Sequence, residues 1–209
     1  ETRNLQGLAT PEQVWKEFAD GCSVRLLHPQ RWVDSLHLLL SMLERHWQCN
    51  TGCNSYLTPH GSQGFAPHFD DIDAFILQVE GSKRWSLHHP FDVSQLNPRH
   101  SSEDFTQVQV GEPYADFTLH EGDLLYMPRG VIHQARCHDD EKDQDQVKGG
   151  AAELGSGGTG HSLHVTLSTH HQNTYADLLE IALPRALELA IEAQPELRSN
   201  LPNDYLDHL

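Results

Sequence analysis

Long apolar runs are missing from this sequence, and basic residues are few. No stretch of about 18 apolar residues occurs, so the 209-residue chain is not expected to span a membrane. Lys and Arg together number 14 against 30 Asp and Glu, which gives a formal net charge of −16. Direct binding to a nucleic-acid backbone needs clustered cations and is therefore not expected. The charge favours a basic partner, such as a Lys- and Arg-rich protein loop, although acidic residues also serve simply to keep a domain soluble.

Cysteine is also scarce, with four residues in the chain. Cys49 and Cys53 have a spacing that zinc sites use, but no second close pair of Cys or His matches them. We therefore expect reduced, mostly buried thiols in an intracellular protein.

Apolar and polar residues alternate through the middle of the chain, and this period of two predicts β-strands. The predicted strands lie near 53–59, 73–80, 83–89, 115–120, 123–127, 131–138 and 162–170. Gly81-Ser82 predicts a two-residue hairpin turn between two of them. Many short strands separated by turn signals predict an antiparallel barrel or a double-sheet jelly roll.

Helices are predicted on either side of the strands. Thr10-Pro11-Glu12-Gln13 has the form of a helix start, with a helix expected to about residue 20 and a strand over 22–27. A longer helix is expected over 30–47, and its apolar stripe should belong to the core. That stripe consists of Trp32, Leu36, Leu39, Leu40 and Leu43.

The last third of the chain changes character twice. Residues 139–160 are charged and then Gly-rich, which predicts a mobile loop between two strands, with a functional lid as the alternative. Asn173-Thr174 predicts the start of a helix, which Pro184 should break or kink.

Two histidines and one aspartate form the pattern with the clearest chemistry. His68 and Asp70 are two residues apart, so on one strand both side chains point to the same side. His133 is distant in sequence and must come from a second strand. Two imidazoles and a carboxylate hold a divalent iron by one face and leave the other face open for a co-substrate and oxygen. We therefore predict an Fe(II) site at His68, Asp70 and His133.

An open iron face suits a 2-oxo acid that chelates the metal through its keto oxygen and one carboxylate. Its second carboxylate then needs a cation, and Lys83 is the candidate. A lysine buried in a barrel mouth is costly unless an anion pairs with it. The alternative is a solvated hairpin lysine, which spacing alone does not exclude.

Five stretches of the sequence resemble the JmjC-type ribosomal oxygenases. They are NSYLTP at 54–59, GSQGFAPHFDD at 61–71, FILQVEGSKRW at 75–85, GDLLYMPRGVIHQA at 122–135 and HSLHVTLST at 161–169. The likeness runs from about Cys22 to the end of the chain. It is strongest to the eukaryotic branch, whose members hydroxylate a histidine in a ribosomal protein, whereas bacterial relatives act on an arginine.

The resemblance implies a mainly β fold with flanking helices, a double-stranded β-helix of the jelly-roll, cupin and JmjC type. It places the catalytic domain at 1–172 and the start of a helical dimerisation region at 173–209. These C-terminal helices would allow a homodimer. The winged-helix domain that follows in the family is absent from this sequence.

The resemblance also implies the cofactors. Fe(II) would be bound by His68, Asp70 and His133. The co-substrate 2-oxoglutarate, used together with O2, would be paired to Lys83.

Further positions match the family's pocket. Asn54 and Tyr56 match residues that contact the substrate side chain, and Ser168 matches a position near substrate and co-substrate. His161 and His164 lie close by, but because the three protein ligands of the iron are already assigned, we interpret both as strand or pocket histidines.

The function that follows is hydroxylation of a histidine side chain in a protein substrate, a basic ribosomal-protein loop, in the nucleus or nucleolus. One alternative is a JmjC-type lysine demethylase of histone tails, which shares the first steps. A second is a metal-binding cupin without redox chemistry, and a third is a purely structural dimer module.

Overall fold

A computed structural model describes residues 8–137 and 160–203 of the chain. The chain divides into two compact units, Glu1–His171 and Gln172–Leu209. The segment 139–160, for which a mobile loop was predicted, lies outside the described residues except for Gly160.

The described part of the first unit contains eight strands in two antiparallel sheets. In chain order they are β1 Val24–Leu27, β2 Gly52–Pro59, β3 Asp73–Glu80, β4 Ser82–His88, β5 Ala115–His120, β6 Leu124–Met127, β7 Ile132–Arg136 and β8 His161–Thr169. The larger sheet has the order β1-β2-β8-β3-β6, and the smaller has the order β5-β4-β7. The predicted class, a mainly β double sheet with flanking helices, is confirmed.

Three helices flank the sheets: α1 Pro11–Ala19, α2 Asp34–Trp47 and the single turn α3 Gln107–Val110. The predicted start of α1 is confirmed by a reciprocal cap. The Gln13 N–H donates to Thr10 Oγ1 (3.3 Å), and the Thr10 N–H donates to Gln13 Oε1 (3.1 Å). These bonds satisfy backbone donors that have no partner within the first helical turn.

The main core lies between the two sheets, because every second side chain of each strand points inward. It contains the buried residues Ala74, Ile76, Trp85, Leu87, Leu119 and Met127. A second core lies under α2, where Leu40 packs with Cys53, Val165 and Leu167. The two cores therefore cover opposite faces of the larger sheet.

The long helix differs from its prediction in two ways. It begins at Asp34 rather than at residue 30, because His28 adopts a left-handed conformation (φ 54°) and a 3-10 turn follows it. Its predicted core stripe is also only partly buried. Leu40 is buried and two neighbours on the stripe are half-buried, whereas Trp32 is 66% exposed and Leu39 lies on the surface.

The hairpin predicted at Gly81-Ser82 is wrong. β3 and β4 are separated by Gly81 alone, but they belong to different sheets and do not pair. Gly81 has a φ of +64°, and a Cβ at this position would lie 2.3 Å from the carbonyl oxygen of His161. The glycine therefore marks a sharp corner at which the chain crosses from one sheet to the other.

The second unit contains one long helix, α4 Tyr175–Ala193, followed by a 3-10 turn at Pro195–Arg198. Thr174 caps α4 as predicted, with its hydroxyl accepting from the Asp177 N–H (3.2 Å). The helix continues through Pro184, so the predicted break does not occur, and the alternative of a kink stays a prediction. Loss of one backbone hydrogen bond is offset by strong helix formers on both sides. No described helix has the length and apolar character needed to cross a membrane.

Candidate metal centre

The segment that carries His68 and Asp70 runs beside β7, before β3 begins. The His68 N–H donates to the His133 carbonyl (3.1 Å), and the His133 N–H donates to the His68 carbonyl (2.8 Å). Phe69 points away from both neighbours and packs in a separate buried cluster. This two-way backbone pairing brings residues that are distant in sequence side by side, as the remote histidine predicted. His68 forms an isolated bridge to β7, however, and His68 and Asp70 do not lie on a strand as expected.

The three side chains face one another with their ligand atoms within 4.8 Å. Asp70 lies 3.9 Å from His68 Nε2 through Oδ1 and 3.8 Å from His133 Nε2 through Oδ2. His68 Nδ1 lies 2.8 Å from the Ala66 carbonyl, and His133 Nδ1 lies 3.0 Å from the Val131 carbonyl. A carbonyl only accepts, so each Nδ1 carries the proton and each Nε2 keeps its lone pair.

This donor set fits a divalent cation. Neighbouring ligands about 2.1 Å from one octahedral ion lie about 3 Å apart, so the Nε2-to-carboxylate distances of 3.8 and 3.9 Å need to shorten by less than 1 Å for the three groups to bind one ion. Burial, followed by the proximity of His68, lowers the pKa of His133 to about 4. The imidazole is therefore neutral at physiological pH, the form that binds a metal.

Lys83 lines the same cavity as the three ligands, and the cavity volume is about 120 Å³. Its side chain is buried, with 3% of its surface exposed, so the alternative of a solvated hairpin lysine is excluded. Lys83 Nζ donates to Thr58 Oγ1 (2.9 Å). Burial lowers the pKa of Lys83 to about 8. The cavity therefore joins a site for a metal cation to a buried lysine whose ammonium is hydrogen-bonded to a neutral hydroxyl.

The two residues predicted to contact substrate lie on one face of β2. Tyr56 lines the cavity, and its ring stacks on the His164 ring at 4.8 Å and 10°. Burial, followed by the nearby carboxylate of Asp70, raises the pKa of Tyr56, and hydrogen bonds with Asn54 and Arg25 oppose this shift. Asn54 is two residues away and does not itself line the cavity.

Ser168 on β8 lies opposite Gly52 of β2 and Ala74 of β3. Ala74 lines the cavity, whereas Ser168 does not. A Cβ on Gly52 would lie 2.3 Å from Ser168 Oγ, so the serine hydroxyl occupies the space over this glycine.

The two neighbouring histidines have different surroundings. His161 Nε2 is hydrogen-bonded to the Glu80 carboxylate (2.8 Å), and His161 does not line the cavity. His164 is buried, lines the cavity, and meets the edge of the Trp85 ring at 5.6 Å.

Several cavity residues were not identified from the sequence, among them Arg25, Thr58 and Trp85. The period of two could have pointed to Thr58, which lies two residues from Tyr56, and to Trp85, which lies two residues from Lys83. Arg25 is the direct cross-strand partner of Tyr56, a relation that needs the register of β1 and β2.

Comparison with known proteins gives the family. A model of the JmjC domain family matches residues 25–144. The bifunctional lysine-specific demethylase and histidyl-hydroxylase NO66 of Dictyostelium discoideum is 49% identical over 208 residues, which is 100% of this chain and 37% of that protein. Ribosomal oxygenase 1 of Gallus gallus is 44% identical over 209 residues, again 100% of this chain and 32% of that protein.

The chain thus spans about a third of the length of these relatives. Among solved structures, the X-ray structure of E. coli ycfD is similar in fold, with a TM-score of 0.50 and 20% identity over 87% of this chain and 40% of that chain. The antiparallel double sheet, the His-Asp-His cluster and the family match over more than half of the residues agree: this chain belongs to the JmjC domain family.

Proposed function

We propose that this chain carries the catalytic site of an Fe(II)- and 2-oxoglutarate-dependent oxygenase that hydroxylates a histidine side chain in a ribosomal protein. The observation that carries the proposal is the single cavity lined both by the His68, Asp70 and His133 cluster and by the buried ammonium of Lys83. A non-redox cupin has no use for such a cation beside its metal.

His68, Asp70 and His133 are the proposed ligands of the iron. The carbonyls of Ala66 and Val131 hold the two rings with their Nε2 lone pairs directed at the metal position. A bound Fe(II) supplies oxygen activation coupled to oxidative decarboxylation of the 2-oxo acid, with O2 as oxidant. The chain itself supplies ligand geometry and a cavity that limits the access of water.

Lys83 and Thr58 are proposed to hold the distal carboxylate of 2-oxoglutarate. A buried ammonium and a hydroxyl, 2.9 Å apart, both offer donors to an anion. The anion would in turn supply the charge partner that compensates the burial of Lys83.

Tyr56 and Asn54 are proposed to orient the substrate side chain, with Ser168 near the boundary between substrate and co-substrate. The proposal that the substrate is a ribosomal protein takes its support from the names of relatives, which include ribosomal oxygenase and histidyl-hydroxylase. The net charge of −16 favours a basic loop of that protein.

The decisive experiment measures succinate formed from 2-oxoglutarate in the presence of Fe(II) and a histidine-containing ribosomal peptide. Wild-type protein should form succinate, and His68→Ala should lose at least about 99% of it because one of three ligands is gone. His161→Ala is the matched control, since this histidine lies outside the cavity, and its activity should remain. Substrate-dependent succinate formation by His68→Ala would contradict the proposal.

Binding can be tested apart from turnover. With Mn(II) in place of Fe(II), 2-oxoglutarate should raise the melting temperature, because it binds the folded state. No shift would favour the alternative of a metal cupin without redox chemistry.

Lysine demethylation is the second candidate, since the names of several relatives include lysine-specific demethylase as well as histidyl-hydroxylase. Mass spectrometry of peptide products separates the two reactions. A stable gain of one oxygen on histidine supports hydroxylation. Loss of methyl groups from lysine, or a gain of oxygen on arginine, would contradict it.

We also propose that residues 1–172 form the catalytic domain and that 173–209 begin a dimerisation region, with the protein acting in the nucleus or nucleolus. The exposed apolar side chains of α4, including Leu178, Ile181 and Leu187, are consistent with pairing between two copies. Sedimentation of the protein with and without 173–209 tests the assignment of the dimerisation region. The same oligomeric state for both proteins would contradict it.

A further inference from the structure

Gln78 on β3 and His164 on β8 are direct cross-strand partners on the inner face of the larger sheet. Both are buried, with 3% and 4% of their surfaces exposed. Each also has one polar atom, sealed from solvent, that has no hydrogen-bond partner among the described residues: Gln78 Oε1 and His164 Nδ1. Two orphaned atoms on facing residues are unusual, because buried polar groups are almost always paired.

The amide of Gln78 has a fixed orientation. Its Nε2 donates to the Glu80 carbonyl (2.9 Å) and to Ser162 Oγ (2.8 Å), and lies 3.4 Å from the Leu163 carbonyl. A flipped amide would direct Oε1 at two carbonyl oxygens, which only accept and would repel it. Oε1 must therefore remain the unpaired acceptor.

His164 is neutral in this position. Burial, followed by the ammonium of Lys83 and the proximity of His133, lowers its pKa well below 6.5. A neutral imidazole carries one N–H, and the nitrogen that holds it is the one that meets an acceptor. Cross-strand partners have Cβ atoms about 4.5–5.5 Å apart, so these two side chains are close enough for a hydrogen bond from Nδ1–H to Gln78 Oε1, which would satisfy both atoms at once.

We propose that Gln78 is a positioning residue: its Oε1 accepts a hydrogen bond from His164 Nδ1–H, which fixes one tautomer of this histidine and holds its ring against Tyr56. The Nε2 atom then stays unprotonated and gives the cavity wall an acceptor. The link to catalysis rests on the function proposed above, because it acts through Tyr56, a proposed substrate contact.

Stacking alone does not fix this ring. The His164 ring packs on Tyr56 at 4.8 Å and against the edge of Trp85 at 5.6 Å, and both contacts are preserved when the ring turns over by 180°. A hydrogen bond from Nδ1 distinguishes the two orientations. It removes the flipped state, in which a carbon would face Gln78 Oε1 and leave the acceptor unpaired.

The test is the tautomer of His164, read by long-range ¹H–¹⁵N NMR correlation on ¹⁵N-histidine-labelled protein at neutral pH. The His164 signals are assigned by their loss in His164→Gln. Wild-type protein should show the Nδ1–H form, and Gln78→Met, which keeps the length but removes the acceptor, should shift His164 to the Nε2–H form. Ser162→Ala is the matched control, since it removes a partner of Gln78 Nε2 and leaves Oε1 in place; its tautomer should remain Nδ1–H.

Turnover gives the second measurement. Gln78→Met should raise KM for the peptide by about threefold to tenfold and leave KM for 2-oxoglutarate unchanged, because Tyr56 loses its fixed neighbour whereas Lys83 does not. An Nε2–H tautomer in wild-type protein overturns the inference, and this result needs no variant at position 78. An unaltered tautomer in folded Gln78→Met also overturns it. A wild-type protein that shows the Nδ1–H form but no turnover contradicts the proposed function and not the hydrogen bond.

Discussion

The burial of Lys83 lowers the stability of the folded protein. Lys83 is 3% exposed, and its ammonium donates a hydrogen bond to Thr58 Oγ1. Burial lowers its pKa from an ordinary value of 10.5 to about 8. The unfolded chain therefore holds this proton more tightly than the folded protein, so folding stability is reduced below pH 8 and recovers as the pH rises towards 10.5. Such a group is expected where a bound anion repays its burial.

Replacing this lysine should separate stability from binding. At pH 7 we expect Lys83→Met to raise the free energy of unfolding by about 1–3 kcal/mol, because a buried charge is replaced by an apolar chain of similar length. The same variant should lose the 2-oxoglutarate-dependent rise in melting temperature with Mn(II). Urea unfolding and thermal shift measure the two effects.

Lys16→Met is the matched control, because Lys16 is exposed on α1. Its unfolding free energy should change by no more than about 0.5 kcal/mol, and its response to 2-oxoglutarate should be that of the wild type. A less stable Lys83→Met protein would contradict the cost assigned to burying this cation. A variant that still responds to 2-oxoglutarate would show that the cation does not serve the co-substrate.

Individual residues of the site could be predicted where chemistry limits the choice of residue type. The two-residue spacing of His68 and Asp70 led to the pair, and the need for a second imidazole led to His133. The chemistry of the site does not restrict the residue type at Thr58 and Trp85 in this way. Thr and Trp are common in strands, and their role depends on the residues that face them. Their contribution became visible only when both sheets were in place.

At the scale of elements, the corner at Gly81 determines how Lys83 enters the cavity. β4 starts immediately after Gly81, in the second sheet, and Lys83 is the second residue of that strand. A hairpin at this point would have paired β4 with β3 and kept Lys83 in the larger sheet. The tight turn was predictable from the glycine, but the change of sheet was not, because it depends on contacts made by β8 and β7 much later in the chain.

Gly81→Ala should therefore be strongly destabilising. The new Cβ would meet the His161 carbonyl oxygen at 2.3 Å and would also occupy a left-handed conformation. We expect a loss of about 3 kcal/mol or more in the free energy of unfolding, measured by urea denaturation.

Gly122→Ala separates the two causes. Gly122 also has a positive φ, of +90°, but a Cβ there would have no atom within 4 Å among the described residues. This variant should lose only about 1–2 kcal/mol, the cost of the backbone conformation alone. Equal losses in both variants would contradict the role of the close approach to His161.

The strands were predictable as elements because side-chain alternation is a local property. β3 and β5 have the predicted bounds, and the other strands of the middle region differ by a few residues at their ends. The helices were harder. The start of α2 depends on the left-handed His28, and the exposure of Trp32 depends on what covers the helix, and neither is recorded in a local pattern.

At the scale of the whole molecule, net charge is the dominant property. A charge of −16 should raise the local concentration of a basic peptide and lower that of the anionic 2-oxoglutarate. Added salt screens both effects, because the Debye length falls from about 10 Å at 0.1 M to about 3 Å at 1 M.

We therefore expect kcat/KM for a basic ribosomal peptide to fall several-fold between about 0.05 and 0.5 M salt. The same quantity for 2-oxoglutarate should stay level or rise over this range, which makes the co-substrate an internal control. Steady-state kinetics at matched pH measures both. A parallel fall for the two ligands would indicate general inactivation by salt rather than loss of steering.

The reciprocal hydrogen bonds between the main chains of His68 and His133 have a consequence for the order of folding. His68 and His133 come together only after the chain between them has closed into a loop. This step is slow, because the chain loses conformational entropy before the native contacts between the two segments form. A metal ion that needs both rings therefore has little to bind in the transition state for folding. It should lengthen the lifetime of the native chain, through a slower unfolding rate, and leave the refolding rate almost unchanged.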